Sequence, residues 1–134
     1  MPALNPDRLH PRRQRAEEAN QLIVLIGQQG RQFFFSEGTR RYAFFEVAGN
    51  GRVWFNDEYS GARIYTHKCA GSRIRGFTHG GTLWRLVERM ANYITAGTPV
   101  DMAYIAPKCW GYSPEAADAL RAAASALPIT RSTQ

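Results

Sequence analysis

Lysine is nearly missing from this chain. Of its 17 basic residues in 134, only Lys68 and Lys108 are lysines, so a formal charge of +6 is carried almost wholly by guanidinium groups. An ammonium is a hydrated point charge, whereas a guanidinium is a planar fork that grips phosphate or carboxylate in pairs and stacks on aromatic or base faces. The first implication is an anionic partner. Cysteine is scarce as well. Cys69 and Cys109 are the two, and no apolar leader of signal-peptide length precedes the domain, so both are expected as reduced thiols in a cytoplasmic protein. The longest apolar run, residues 22–26, is far short of the ~20 residues that cross a bilayer, which argues against a membrane partner. Absent too are a G-x-S-x-G elbow, an H-E-x-x-H pair, a Walker loop and any carboxylate cluster with metal-binding spacing.

What is present is core material. Hydrophobic residues make up 44% of the chain and aromatics 12%, enough at this length for one core without disulfide, metal or cofactor. Residues 1–15 combine Pro2, Pro6 and Pro11 with Arg8, Arg12, Arg13 and Arg15, a composition suited to a flexible basic arm. The run Ala16, Ala19, Leu22, Ile23, Ile26 has helical spacing from about Pro11 or Gln14, with Glu17 and Glu18 in the early turns and Gly30 as a stop. Its apolar heart would also suit a buried strand.

From Phe33 onward, aromatic and β-branched clusters alternate with turn residues, predicting an antiparallel meander of about four strands. The strands fall at 33–35, 42–47, 52–55 and 62–66. Glu37-Gly38 turns the first pair, and Gly49-Asn50-Gly51 supplies positive φ for a tight hairpin. Ala43, Phe45 and Val47 share a greasy face, while Arg63, Tyr65 and His67 stand opposite Ala62, Ile64 and Thr66. Leu83, Leu86, Val87, Met90 and Ile94 form a helical stripe, with Thr82 as N-cap and Gly97 as stop, that should cover the greasy side. Ser113-Pro114-Glu115 starts a last helix of small residues that Pro128 ends. The expected organisation is a single α+β domain over residues 16–128, helices on one sheet face, with a flexible tail at 129–134.

Three sites follow. Arg40, Arg41, Arg52, Trp54, Arg63 and Tyr65 interleave cations with rings on a potential common sheet face, where base stacking and phosphate pairing coexist. Lys68, Arg73 and Arg75 lie in a glycine-containing loop leading to Gly80-Gly81-Thr82, a helix start whose free N–H groups suit an anion. His67 and His79, with Arg63 and Tyr65, would be the acid, base and phosphate clamp of a metal-independent ribonuclease. His67, Cys69, His79 and Cys109 lack the knuckle spacing of a zinc site, so no metal is expected.

Residues 52–83, from Arg52-Val53-Trp54-Phe55 through Ser60-Gly61-Ala62-Arg63-Ile64-Tyr65-Thr66-His67 to Gly76-Phe77-Thr78-His79-Gly80-Gly81-Thr82-Leu83, resemble small proteins of bacteriophages and integrative elements of proteobacteria. The resemblance implies a mobile-element setting and carries over no site residue. Such proteins regulate DNA transactions or disable host defence. The reading is a non-enzymatic accessory protein binding nucleic acid or a nucleoprotein surface. Its alternatives are a protein-binding inhibitor of a defence complex such as a CRISPR effector, and the small ribonuclease.

Overall fold

The computed structural model describes residues 3–67 and 77–131. Among these the order is α1 (Pro6–Gly27), β1 (Phe35–Ser36), β2 (Arg41–Tyr42), β3 (Phe44–Val47), β4 (Val53–Asn56), β5 (Arg63–Tyr65), α2 (Gly81–Ala96) and α3 (Pro114–Ser125). Three short 3-10 turns complete it, at Met102–Tyr104, Lys108–Trp110 and Pro128–Thr130. The fold is α+β. β3, β4 and β5 form an antiparallel meander, and β1 pairs with β2 in a separate hairpin.

Helix α1 begins where a basic arm was expected. Asn5 caps it by accepting from the Asp7 amide at 2.9 Å, Pro6 supplies a φ already suited to the first turn, and Asp7 complements the dipole. Pro11 removes one amide without ending the helix, because Arg12 and Arg15 anchor the same stretch to the hairpin and to α2. Ala16, Ala19, Leu22, Ile23 and Ile26 are buried, as their spacing predicts. The stop comes at Gly27, not Gly30. A Cβ on Gly27 would sit 2.6 Å from the Tyr42 ring, so glycine here permits close packing.

The first two predicted strands are shorter than their aromatic runs. Phe34 is fully buried with φ +68°, a left-handed conformation that breaks the extended run and turns its ring inward. Its carbonyl accepts from the Ala43 amide at 2.9 Å, and this contact separates β2 from β3. The hairpin at residues 49–51 forms as the sequence requires. Gly51 takes φ +87°, and Asn50 Oδ1 accepts from the Arg52 amide at 3.0 Å.

Phe45, Val47, Val53, Phe55 and Ile64 make the buried sheet face. Helix α1 packs on β3, α2 packs on β4, and the two helices pack on each other. Asn20 closes the outer edge of β3: its Oδ1 accepts from the Phe45 amide at 2.6 Å and its Nδ2 donates to the Phe45 carbonyl at 3.1 Å. One side chain thus does what a neighbouring strand would do for that residue. Leu83, Leu86, Val87, Met90 and Ile94 are buried on α2, whose C-cap is Gly97 at φ +79°. Its N-cap is Gly80, with no side-chain cap, and Thr82 lies inside the helix.

Ser113 caps α3 by accepting from the Ala116 amide at 3.2 Å. Beyond Pro128 the chain stays in the fold. Ile129 is fully buried and its carbonyl accepts from the Val100 amide at 2.9 Å, so the predicted tail yields at least this residue to the core.

Candidate functional site

Opposite the helices, β3, β4 and β5 present a face that no element among the described residues covers. The register aligns Glu46, Trp54 and Tyr65 in one row across the strands and Phe44, Asn56 and Arg63 in the next. All are half-buried or exposed, and Phe44, at 46%, is one of the two large hydrophobic side chains most open to water among the described residues.

Four residues on this face make a diagonal ladder. The Arg63 guanidinium lies 4.0 Å above the Trp54 ring, and that of Arg52 lies 4.9 Å above Tyr65. The Trp54 and Tyr65 rings are 5.2 Å apart, tilted by 36°. Each arginine sits one pleat away from the aromatic residue of its own strand, so each reaches diagonally to the ring on the neighbouring strand. His67 joins at the end, 5.8 Å from Tyr65. Glu46 faces the same surface. Its carboxylate accepts from Arg63 Nε at 2.7 Å and from Asn56 Nδ2 at 3.2 Å, and the Arg63 bond, aided by Asn56, holds it below the ordinary carboxylate range despite partial burial. Exposed pairs of this kind contribute about 0–1 kcal/mol.

Arg52, Trp54, Arg63 and Tyr65 therefore share a face, as expected. Arg40 and Arg41 do not join them. They belong to the β1–β2 hairpin, where Arg40 is exposed at φ +54° and Arg41 donates to the Glu58 carbonyl at 3.1 Å. Lys68, Arg73, Arg75 and Cys69 lie outside the described residues.

Other arginines are held by carbonyl oxygens. Arg12 donates to Gly51 at 2.8 Å, Arg15 to Ile94 at 2.8 Å, Arg31 to Trp110 at 3.4 Å, and Arg121 to Ile105 at 3.0 Å. Arg15 thereby meets a carbonyl in the last turn of α2, where cations are favoured. A carbonyl pins a guanidinium without cancelling its charge. Among the described residues Arg63 alone of the arginines forms an ion pair with a carboxylate. Arg8, Arg12 and Arg15 follow one stripe of α1, and burial together with the fields of Arg8 and Arg15 lowers the Arg12 pKa from its ordinary value. Arg12 meets the hairpin at Gly51, next to Arg52, so this basic stripe reaches the turn between β3 and β4.

A second cluster was not foreseen from the sequence. The turn after β4 is clasped to the approach of α2 by two adjacent carboxylates. Asp57 accepts from the Tyr59, Ser60 and Thr78 amides at 2.9, 3.1 and 2.9 Å and from the Thr78 hydroxyl at 2.9 Å. Glu58, whose side chain is fully buried, accepts from His79 Nε2 at 2.5 Å, while its Oε2 has no partner among the described residues. The His79 ring is boxed by Phe33, Phe34, Tyr59 and Phe77, with centroids 5.5 to 6.0 Å away. His79 and His67 thus stand in different clusters, one boxed beside a buried carboxylate and the other on the open face. The Asp57–Glu58 doublet reads in sequence as a polar loop, because nothing local announces the distant Thr78 and His79 that bury it.

The start of α2 borders a cleft of about 460 Å³ lined by Gly81, Thr82, Arg85, Ala103, Tyr104 and Pro107. No acidic residue occupies the first turn. Cys109 is exposed, its Sγ 3.8 Å from Thr82 Oγ1. Among the described residues no group of three His, Cys, Asp or Glu side chains gathers as a metal site, and no helix is long and apolar enough to cross a membrane.

Comparison with known proteins places this architecture in a biological class. The chain is 29% identical over 101 residues to the SPbeta prophage-derived uncharacterized protein YoqU of Bacillus subtilis (strain 168), covering 75% of this chain and 72% of that protein. No solved structure matches. The chain is thus a small protein of phage or mobile-element type, as residues 52–83 suggest. It belongs to the YoqU family, whose model matches residues 10–133.

Proposed function

We propose that this chain is a non-enzymatic accessory protein of a mobile element that binds nucleic acid, or a nucleoprotein surface, through the open face of β3, β4 and β5. The observation that carries this reading is the placement of Arg52 and Arg63 on the rings of Tyr65 and Trp54. A guanidinium resting on a ring keeps its N–H edge free for phosphate, and the rings offer π-faces to bases. The net charge of +6 supplies long-range attraction, supported by arginines held on carbonyls with their charge intact.

Titration with DNA and with RNA at two salt concentrations tests it. Affinity must fall steeply with salt, with a logarithmic slope of about 0.7 to 0.9 per phosphate neutralised. Arg52→Gln should weaken binding and lower that slope by about one contact. Absence of binding at low salt refutes the proposal.

The second reading is a protein-binding inhibitor of a host defence complex. Trp, Tyr and Arg are the residues that dominate protein interfaces, and the exposed Phe44 beside them favours this reading. A defined host complex retained on the protein after nuclease treatment, with loss of retention in Trp54→Ala, would select it over nucleic acid.

A further inference from the structure

Resting on the nucleic-acid reading, we infer that the ligand of the open face is a single strand, held by stacking of its bases on Phe44, Trp54 and Tyr65. The three rings belong to three adjacent strands, β3, β4 and β5. Phe44 stands one row from Trp54, and Trp54 lies directly across from Tyr65, so the rings step across the sheet and along its strands. A duplex keeps its bases stacked on each other and offers a protein mainly groove edges and phosphates. Only an unpaired strand can lay base faces on a row of rings.

The cations match this geometry. Arg52 and Arg63 cover the rings at 4.9 and 4.0 Å, where they keep apolar surface from water. Incoming bases take their places on the rings, and the displaced guanidiniums turn to the flanking phosphates. Arg63 must first leave Glu46, an exposed pair of small cost to open. Arg52 has no carboxylate to leave among the described residues. Asn56, between Phe44 and Arg63 in its row, keeps its Nδ2 on Glu46 and so holds that carboxylate when Arg63 draws away. The mixture of aromatic platform, swinging cations and few fixed donors predicts tolerance of base sequence.

The protein carries its own reporter. Of its three tryptophans, Trp84 and Trp110 are 5% and 2% exposed, whereas Trp54 is half-buried on the open face. Oligothymidylate, single-stranded oligouridylate and a mixed-sequence DNA duplex of equal length are titrated into the wild-type chain, following intrinsic tryptophan fluorescence and the anisotropy of a label on the nucleic acid. Both single strands should quench the fluorescence saturably and bind more tightly than the duplex. Trp54→Leu should abolish the quenching and weaken single-strand binding about 5- to 150-fold, with an unchanged circular dichroism spectrum. Duplex binding equal to or tighter than single-strand binding overturns the inference. So does anisotropy-detected binding without quenching in the wild type. Both results leave the electrostatic reading standing. Absence of binding by all three ligands at low salt overturns that reading and this inference together.

Discussion

Removing His79 while keeping Glu58 should be among the most damaging single changes the fold can suffer. The Glu58 side chain is fully buried, one oxygen held by His79 at 2.5 Å and the other without a partner among the described residues. His79→Phe fills the box of Phe33, Phe34, Tyr59 and Phe77 with a ring of similar size, so packing is nearly conserved. What it leaves is a buried carboxylate with no hydrogen bond. Breaking a buried pair by deleting one partner costs about 3–5 kcal/mol, a large part of the 5–15 kcal/mol that holds a typical domain together. The double variant Glu58→Leu, His79→Phe removes charge and partner together. It also removes the orphaned Oε2, which already costs about 1–3 kcal/mol, so it should recover most of the loss. Urea unfolding followed by circular dichroism reads both. With a slope of about 1–3 kcal/mol per molar, the single variant shifts the midpoint down by at least about 1 M. A single variant within about 1 kcal/mol of wild type, or a double variant as unstable as the single, would show that this pair is not electrostatically coupled.

Other consequences are checked as directly. Asn20→Ala strands the amide and carbonyl of buried Phe45 at the edge of β3, and should cost about 1–3 kcal/mol, with faster hydrogen exchange at the Phe45 amide. Ile129→Ala empties a fully buried site beyond α3 and should cost about 2–5 kcal/mol in thermal or urea unfolding. Tyr93 donates to Glu18 at 2.6 Å, and its burial, with that hydrogen bond and charge, raises its pKa above the ordinary tyrosine value. The folded state therefore keeps a proton that the unfolded chain loses near pH 10. Stability from this group is complete below that pH and falls as pH rises further, and Tyr93→Phe should flatten the decline. On the acid side the lowered Glu46 pKa gives the opposite sign: its contribution holds above the ordinary carboxylate range and is lost as pH falls, a dependence that Glu46→Gln should abolish.

The elements most legible in the sequence were those whose signals are local. The stripe on α2, its Gly97 stop, the residue 49–51 hairpin and the Ser113 cap are each set by neighbours within one turn. The face shared by Arg52, Trp54, Arg63 and Tyr65 was legible because alternation along a strand fixes sides, and two strands suffice to align them. The failures lie where distant residues decide. Pro6, Pro11 and four arginines read as an arm until Gly51 and Ile94 supply carbonyls for Arg12 and Arg15. The three phenylalanines 33–35 read as a strand, yet the core claims Phe34 at a positive φ. The clasp of Asp57 and Glu58 on Thr78 and His79 spans 21 residues of chain and has no short-range pattern.

Guanidiniums fastened to peptide oxygens also change what a charge scan of this protein can mean. Replacing Arg15 or Arg121 by lysine preserves every unit of charge and yet discards the planar geometry that lets Arg15 serve Ile94 and Thr95, and Arg121 serve Ile105 and Ala106, from one group. Such variants would sag in stability before any anionic ligand noticed. The near absence of lysine is then a mark of architecture: in these positions the cation is a strut, whereas Arg52, resting on the Tyr65 ring, can be exchanged for the sake of recognition.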